Sequence, residues 1–90
     1  MWWSAKQRRK RELAAQVRGR DGEDCWRCHH PMRFGLPFNT RRSATIEHLL
    51  AKGHRDRWKL ENLRLCHKGC NKHLGTNPPE QKERMRLRRT

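Results

Sequence analysis

Apolar residues are sparse along the chain and fall into short runs between basic and turn-forming residues. Within residues 4–18, Leu13 and Val17 lie four positions apart with Ala14 beside them, which makes one narrow apolar stripe at helical spacing. The other positions of this stretch are good helix formers, and many of them are basic. The pattern therefore predicts a basic helix that docks on a small core through its stripe.

Both ends of this helix carry sequence signals. Ser4 can cap the first turn, and Gln7 three positions later completes a capping box. Gly19 and Gly22 are expected to end the helix.

Two short segments alternate between apolar and polar residues, which predicts strands. They are residues 44–48 (ATIEH) and 62–66 (NLRLC), and a loop around Gly53 separates them. Residues 31–43 contain prolines and a glycine, so we expect an irregular loop with a short strand near 32–34.

The C-terminal part is predicted to contain two further helical segments. A short helix runs from about Cys70 to Leu74, where Gly75 stops it. Residues 80–89 (EQKERMRLRR) are a strongly basic helix or a frayed tail. These elements predict one small α+β domain over residues 1–90, with an N-terminal helix (4–18), a core (25–76) and a basic tail (77–90).

The composition shows that such a core needs additional stabilisation. Only 32% of the 90 residues are hydrophobic and 7% are aromatic, so little apolar surface can be buried.

Four cysteines could supply either two disulfides, which suit a secreted protein, or a zinc site. The start of the chain shows no signal peptide, and no stretch is apolar enough for a transmembrane segment. We therefore expect a cytoplasmic protein, in which paired cysteines more often hold zinc.

The cysteines come in two close pairs. Cys25 and Cys28 form C-x₂-C, and Cys66 and Cys70 form C-x₃-C. Two such pairs can complete a closed, tetrahedral and structural Zn²⁺ site, which predicts a four-cysteine ligand set. The neighbouring histidines that could replace one cysteine as ligand are His29, His30 and His67.

The charge of the chain adds an expected partner. With 23 Lys and Arg against 9 Asp and Glu, the formal net charge is +14, which predicts a polyanion and above all double-stranded DNA. A membrane surface is disfavoured because no segment has a long apolar face beside its charges. The residues expected to contact phosphates are Lys6, Arg8, Arg9, Lys10, Arg11, Lys72, Lys82, Arg84, Arg86, Arg88 and Arg89.

The stretch between the cysteine pairs carries a further pattern. Glu47-His48 is followed by the loop through Gly53, then by Asn62-Leu63, and Asn71 comes directly after Cys70. This order resembles the HNH nuclease family, whose ββα-metal (His-Me finger) motif consists of two strands, a helix and one catalytic metal ion. The resemblance covers roughly residues 8–76.

The resemblance implies roles for four residues. His48 would be the general base, Glu47 and Asn71 would hold one Mg²⁺ or Mn²⁺ ion, and Asn62 would hold the loop that positions His48. Glu47 stands where the family more often has Asp, and Asn71 where it often has His. The implied function is a metal-dependent DNA endonuclease or nickase, monomeric, in a bacterial cell or phage-infected host, with a phage or bacterial protein as a further partner.

Simpler interpretations exist for each residue taken singly. His48 could be a half-buried structural histidine, Glu47 a surface carboxylate paired with an arginine, Asn62 a turn residue and Asn71 a helix cap. The joint pattern favours the nuclease over a non-catalytic zinc module that binds DNA or RNA. Trp58 is expected to pack on the core, and His54, His67 and His73 are expected at the surface.

Overall fold

The fold was taken from a computed structural model that describes residues 4–35 and 40–87. In these residues, three helices surround a two-stranded antiparallel sheet, so the predicted small α+β class is confirmed. None of these helices is long and apolar enough to cross a membrane. The elements in chain order are α1 (Ala5–Asp21), β1 (Ala44–His48), β2 (Leu63–His67), α2 (Lys68–Leu74) and α3 (Pro79–Met85).

Helix α1 begins as predicted. The Ser4 hydroxyl accepts a hydrogen bond from the Gln7 backbone N–H at 3.1 Å, and the Gln7 side chain accepts one from the Ser4 N–H at 3.0 Å. The two residues of the stripe, Leu13 and Val17, are 2% and 0% exposed. The capping box and the docking stripe are therefore both present.

The end of α1 was predicted too early. The helix passes Gly19 and stops at Gly22, whose φ of 85° is accessible to glycine at little cost. Arg20 in the last turn donates hydrogen bonds to the carbonyls of Leu60 and Leu63, at 2.9 and 2.7 Å. These long-range contacts hold the last turn against the segment that leads into β2, which the local sequence does not reveal.

The sheet positions the candidate residues. Strand β1 has the predicted bounds, and β2 begins one residue later than predicted because Asn62 belongs to a 3₁₀ turn, Leu60–Asn62. The register pairs Glu47 with Arg64 and His48 with Leu63, at the end of β1. The strand expected near 32–34 is reduced to one isolated bridge between Arg33 and Ser43.

The two C-terminal helices differ slightly from prediction. Helix α2 follows β2 without a break and starts two residues before Cys70, while Gly75 ends it as expected. The basic tail is a helix as far as Met85. Arg88 and Arg89 lie outside the described residues.

The apolar core is small and lies between α1, β2 and α2. Two of its eight members are cysteines, so even the core depends partly on thiol groups. The members are Leu13, Val17, Cys25, Met32, Leu63, Leu65, Cys66 and Leu74.

Replacing Leu13 with Ala tests how α1 is held. Leu13→Ala should lower the free energy of unfolding by about 2–4 kcal/mol, because it removes buried methyl groups from the docking stripe. Urea unfolding followed by circular dichroism measures the change. Gln16→Ala, at an exposed position of the same helix, serves as control and should change stability by less than about 0.5 kcal/mol. Equal losses in the two variants would contradict docking through this stripe.

Candidate metal centre and active site

Four side chains from distant parts of the chain converge beside the core. The donor atoms of Cys25, Cys28, His67 and Cys70 all lie within 4.8 Å of one another. The Nδ1 atom of His67 is 3.3 Å from Cys28 Sγ and 3.9 Å from Cys70 Sγ. Tetrahedral zinc with Zn–S of about 2.3 Å and Zn–N of about 2.0 Å would separate sulfur and nitrogen by about 3.5 Å. This Cys3His group could therefore hold a zinc ion.

The surroundings of the Cys3His group also suit a metal. His67 Nε2 lies 2.9 Å from the Pro31 carbonyl, which requires Nε2 to carry the proton and leaves the Nδ1 lone pair facing the sulfurs. The His67 backbone N–H donates to Cys25 Sγ at 3.4 Å, and Arg27 Nη1 donates to Cys70 Sγ at 3.6 Å. Donors aimed at sulfur favour the thiolate form that binds metal.

The ligand group differs from the four-cysteine prediction at one position. His67, expected at the surface, is buried at 8% exposure and belongs to the group, whereas Cys66 lies outside it. Both side chains are buried at the end of β2, but the Cys66 sulfur is not among the donor atoms that lie within 4.8 Å of one another. The sequence does contain a signal for His67 as a ligand, because the spacing of His67-x₂-Cys70 repeats that of Cys25-x₂-Cys28.

Cys66 has a supporting contact instead. Its side chain is completely buried, and its thiol hydrogen-bonds to the Cys25 sulfur. This hydrogen bond lowers the pKa of Cys25 to about 3 and raises the pKa of Cys66. Cys66 thus favours the thiolate of Cys25 without belonging to the Cys3His group.

A second polar group lies at the end of β1. Glu47 is only 3% exposed, and its Oε1 accepts a hydrogen bond from Lys82 Nζ at 2.9 Å. Lys82 also donates to the His48 carbonyl at 2.7 Å. The other carboxylate oxygen of Glu47, Oε2, is buried and has no hydrogen-bond partner within the described part of the chain. Glu47 is thus neither a surface carboxylate nor paired with an arginine.

Lys82 was expected to contact phosphates from a solvated tail, and that expectation was wrong. Only 4% of Lys82 is exposed, and it is the one buried residue of α3. Burial raises the pKa of Glu47, and the hydrogen bond and charge of Lys82 oppose this increase. Lys82 therefore favours the ionised carboxylate most, beside smaller contributions from the His48 backbone N–H and the charge of Arg57.

His48 is enclosed by an aromatic ring and basic side chains. Its imidazole meets Trp58 edge to face, with ring centroids 4.3 Å apart, and its Nε2 is buried without a partner. Burial, together with the charges of Arg57, Lys82 and Lys10, lowers the pKa of His48 to about 4. The imidazole is thus neutral at neutral pH. Trp58 packs on His48 rather than on the core and stays 36% exposed.

The two asparagines brace the end of β1. Asn62 Nδ2 donates to the Asp56 carbonyl at 3.0 Å, and the Leu49 N–H donates to the Asn62 carbonyl at 3.0 Å, so Asn62 ties the connecting loop to the start of β2. Asn71 Nδ2 donates to Thr45 Oγ1 at 3.1 Å and to the Ile46 carbonyl at 2.8 Å.

The role of Asn71 is clear from these bonds. It joins α2 to β1 one residue before Glu47, and it does not cap α2, whose N-cap is His67. Its Nδ2 is engaged twice, which leaves Oδ1 as the side-chain atom that could bind a cation. The predicted residues Glu47, His48, Asn62 and Asn71 thus all lie around the end of β1 or the loop that follows it.

The basic residues that were predicted to contact phosphates differ in how far they are exposed. Arg86 lies 4.6 Å over the Trp26 ring and donates to the Trp26 carbonyl, so this predicted phosphate contact is partly committed to the fold. His54 and His73 are exposed, as expected. The predicted phosphate contacts that are exposed are Lys6, Arg8, Arg9, Lys10, Arg11, Lys72 and Arg84.

A basic cleft that the sequence did not indicate lies beside the Cys3His group. It has a volume of about 690 Å³, and its lining includes Arg27, Arg41 and Arg42 but no carboxylate. The Gly69 N–H donates to the Arg41 carbonyl at 3.1 Å, which fixes the turn carrying Arg41 against the start of α2. Arg27 is distant in the sequence from the adjacent pair Arg41 and Arg42, so only the fold reveals this grouping.

Comparison with protein-family models, with curated protein sequences and with solved structures finds no match for this chain.

The Cys3His group makes a testable prediction about metal content. His67→Ala should lose bound zinc because it removes the only nitrogen donor of the group, whereas Cys66→Ala should keep about one zinc per chain. Purified variants are compared by elemental analysis and by metal release to a colorimetric chelator. His73→Ala, at an exposed position of α2, is the matched histidine control and should also keep zinc. Zinc loss in Cys66→Ala with retention in His67→Ala would instead favour the four-cysteine set.

Proposed function

We propose that this protein is a zinc-stabilised, metal-dependent DNA endonuclease or nickase of the HNH type. The single observation that carries the proposal is the set of groups around the end of β1. A neutral imidazole and a buried carboxylate, whose Oε2 has no hydrogen-bond partner among the described residues, are consecutive there, and an asparagine side chain bonds to the carbonyl one residue before them. Buried titratable groups with shifted pKa values cluster at functional sites.

The arrangement of elements supports the same proposal. Strands β1 and β2 are antiparallel neighbours, and α2 follows β2 directly and packs on both. This order of two strands and a helix is what the resemblance to the HNH family implies. The Cys3His group lies where β2 becomes α2, so a structural zinc would brace the junction that carries Asn71.

His48 would act as the general base. Its low pKa keeps the imidazole unprotonated at neutral pH, so it can take a proton from a water molecule that attacks the phosphorus of a phosphodiester. Trp58 restricts the ring from one side, and Asn62 holds the loop that follows His48. These contacts would fix the direction of the proton acceptor before substrate arrives.

Glu47 and Asn71 would hold the catalytic divalent ion. Glu47 Oε2 lacks a partner, Asn71 keeps Oδ1 available, and hard oxygen ligands of this kind suit Mg²⁺ or Mn²⁺. When bound, the ion would stabilise negative charge on the phosphate and on the leaving 3′ oxygen. Glu47 has one more methylene than the Asp usual in the family, so its carboxylate reaches farther.

Double-stranded DNA is the proposed substrate. Two surfaces present positive charge: the exposed basic face of α1 and the arginine cleft beside α2. The lining of the cleft contains no carboxylate. Such surfaces bind the phosphate backbone with little dependence on sequence. The bacterial or phage setting, the cytoplasmic location and the monomeric state rest on the resemblance and composition alone.

The contact between Lys82 and Glu47 favours a second candidate function. The charge of the Glu47 carboxylate is already balanced by the buried Lys82 ammonium, so Glu47 needs no divalent ion. Such a pair is what we expect in a non-catalytic zinc module that binds nucleic acid. This alternative shares the Cys3His group and the basic surface with the nuclease but lacks hydrolysis.

Plasmid nicking separates the two candidates. Wild-type protein should nick supercoiled plasmid with Mg²⁺ or Mn²⁺ and not with excess EDTA, and His48→Ala should lose at least about a hundredfold in rate because the general base is gone. Gel analysis of the plasmid measures both. His54→Ala, an exposed histidine in the loop after β1, is the control and should cut like wild type. Binding without nicking by wild-type protein under every metal condition would support the non-catalytic module.

Salt dependence tests the DNA-binding face of α1. The double variant Arg8→Gln/Arg9→Gln should weaken duplex binding and reduce the slope of log K against log salt by up to about 2, because each lost phosphate contact removes about 0.9. Fluorescence anisotropy with a labelled duplex between low and moderate salt gives the slope. Glu12→Gln, exposed on the same helix, should not weaken binding. An unchanged slope in the double variant would place the DNA on another face.

A further inference from the structure

The ion pair between Lys82 and Glu47 lies where the proposed divalent ion would bind. Both side chains are almost fully buried, with 5% and 3% exposure, and the Nζ–Oε1 distance is 2.9 Å. Lys82 comes from α3, 35 positions further along the chain, and its ammonium is also held by the His48 carbonyl. The ammonium therefore bridges the two residues that the proposed chemistry requires.

A metal ion and this ammonium are poorly compatible on one carboxylate. A hard divalent ion binds a carboxylate oxygen at about 2.0–2.1 Å for Mg²⁺, so an ion on Glu47 would lie only a few ångströms from Lys82 Nζ. Both positive charges would be buried, where solvent and salt screen their repulsion weakly. One buried carboxylate supplies a single negative charge, which cannot balance both cations.

We propose that the Lys82 ammonium and a divalent cation compete for the Glu47 carboxylate and exchange with each other there. Lys82 would thereby set the affinity of this site for the metal ion. The inference rests on the proposed function for the identity of Glu47 as a metal ligand. Lys82 occupies Glu47 Oε1, whereas Oε2 has no hydrogen-bond partner among the described residues, so a cation could approach the carboxylate through Oε2.

The attachment of α3 makes the exchange structurally feasible. Lys82 is the only buried side chain of this helix, while its C-terminal end is held separately. There Arg86 Nε donates to the Trp26 carbonyl at 2.7 Å, and the Leu87 N–H donates to the Arg27 carbonyl at 2.8 Å. Release of Lys82 would thus loosen α3 at the active site and leave it tethered near the Cys3His group.

Direct Mn²⁺ binding tests the exchange without relying on DNA cleavage. Free Mn²⁺ is measured by electron paramagnetic resonance in titrations of zinc-loaded wild type, Lys82→Met, Lys82→Arg and Glu47→Gln. Lys82→Met should bind Mn²⁺ about tenfold more tightly or better, since the competing charge is removed while most of the side-chain volume remains. Lys82→Arg, which keeps the charge, should bind no more tightly than wild type. Glu47→Gln should lose the site.

Lys52→Met is the matched control for a changed surface charge, because Lys52 is exposed and lies in the loop after β1. It should leave the Mn²⁺ affinity unchanged. Equal or weaker Mn²⁺ binding in Lys82→Met than in wild type would overturn the exchange, as would Mn²⁺ binding that survives Glu47→Gln.

A second measurement uses only the wild-type protein and so holds even if Lys82→Met fails to fold. Saturating Mn²⁺ should speed hydrogen exchange at the backbone amides of α3 while leaving α1 unchanged, because α3 loses its buried anchor. Slower or unchanged exchange in α3 would contradict the proposal. The nuclease function and the exchange at Glu47 can fail independently. Mn²⁺ binding that depends on Lys82, in a protein that does not nick plasmid, would overturn the nuclease function. Plasmid nicking by a protein whose Mn²⁺ affinity does not depend on Lys82 would overturn the exchange.

Discussion

The convergence of Cys25, Cys28, His67 and Cys70 is the constraint on which the rest of this structure depends. A two-stranded sheet is marginal by itself, and the apolar core that packs on it has only eight members among residues 4–35 and 40–87. The Cys3His group joins the turn after α1 to the junction of β2 and α2, which are far apart in the chain. A zinc ion bound there would contribute its binding free energy to folding. Without that junction, α2 would not hold Asn71 against β1.

The buried pair of Glu47 and Lys82 is the second unusual feature. Removing two charges from water is costly, and apolar replacements for such pairs are often at least as stable. A small domain with few apolar residues therefore gains little stability from placing this pair in its interior. The proposed function would explain the pair: a carboxylate at the end of β1 would serve as a metal ligand, and Lys82 would offset its charge in the absence of a divalent ion.

Local sequence patterns predicted the elements that local interactions determine. The capping box placed the start of α1, alternation placed β1, and Gly75 placed the end of α2. Long-range contacts caused the differences. The last turn of α1 continues past Gly19 because Arg20 bonds to carbonyls about 40 positions away.

The candidate site shows the same division between local and long-range information. The sequence placed His48 and Glu47 at the end of a strand, but the fold brings His67 rather than Cys66 into the group with Cys25, Cys28 and Cys70. Nothing near Lys82 in the sequence indicates burial, because its partner is 35 positions away and its neighbours are polar. The charge composition alone predicts that such a lysine is exposed to solvent. Only the packing of α3 against the end of β1 brings Lys82 into contact with Glu47. The carboxylate that the proposed nuclease would need and the lysine that a DNA-binding tail would expose thus form one buried ion pair, which only the long-range packing of the chain produces.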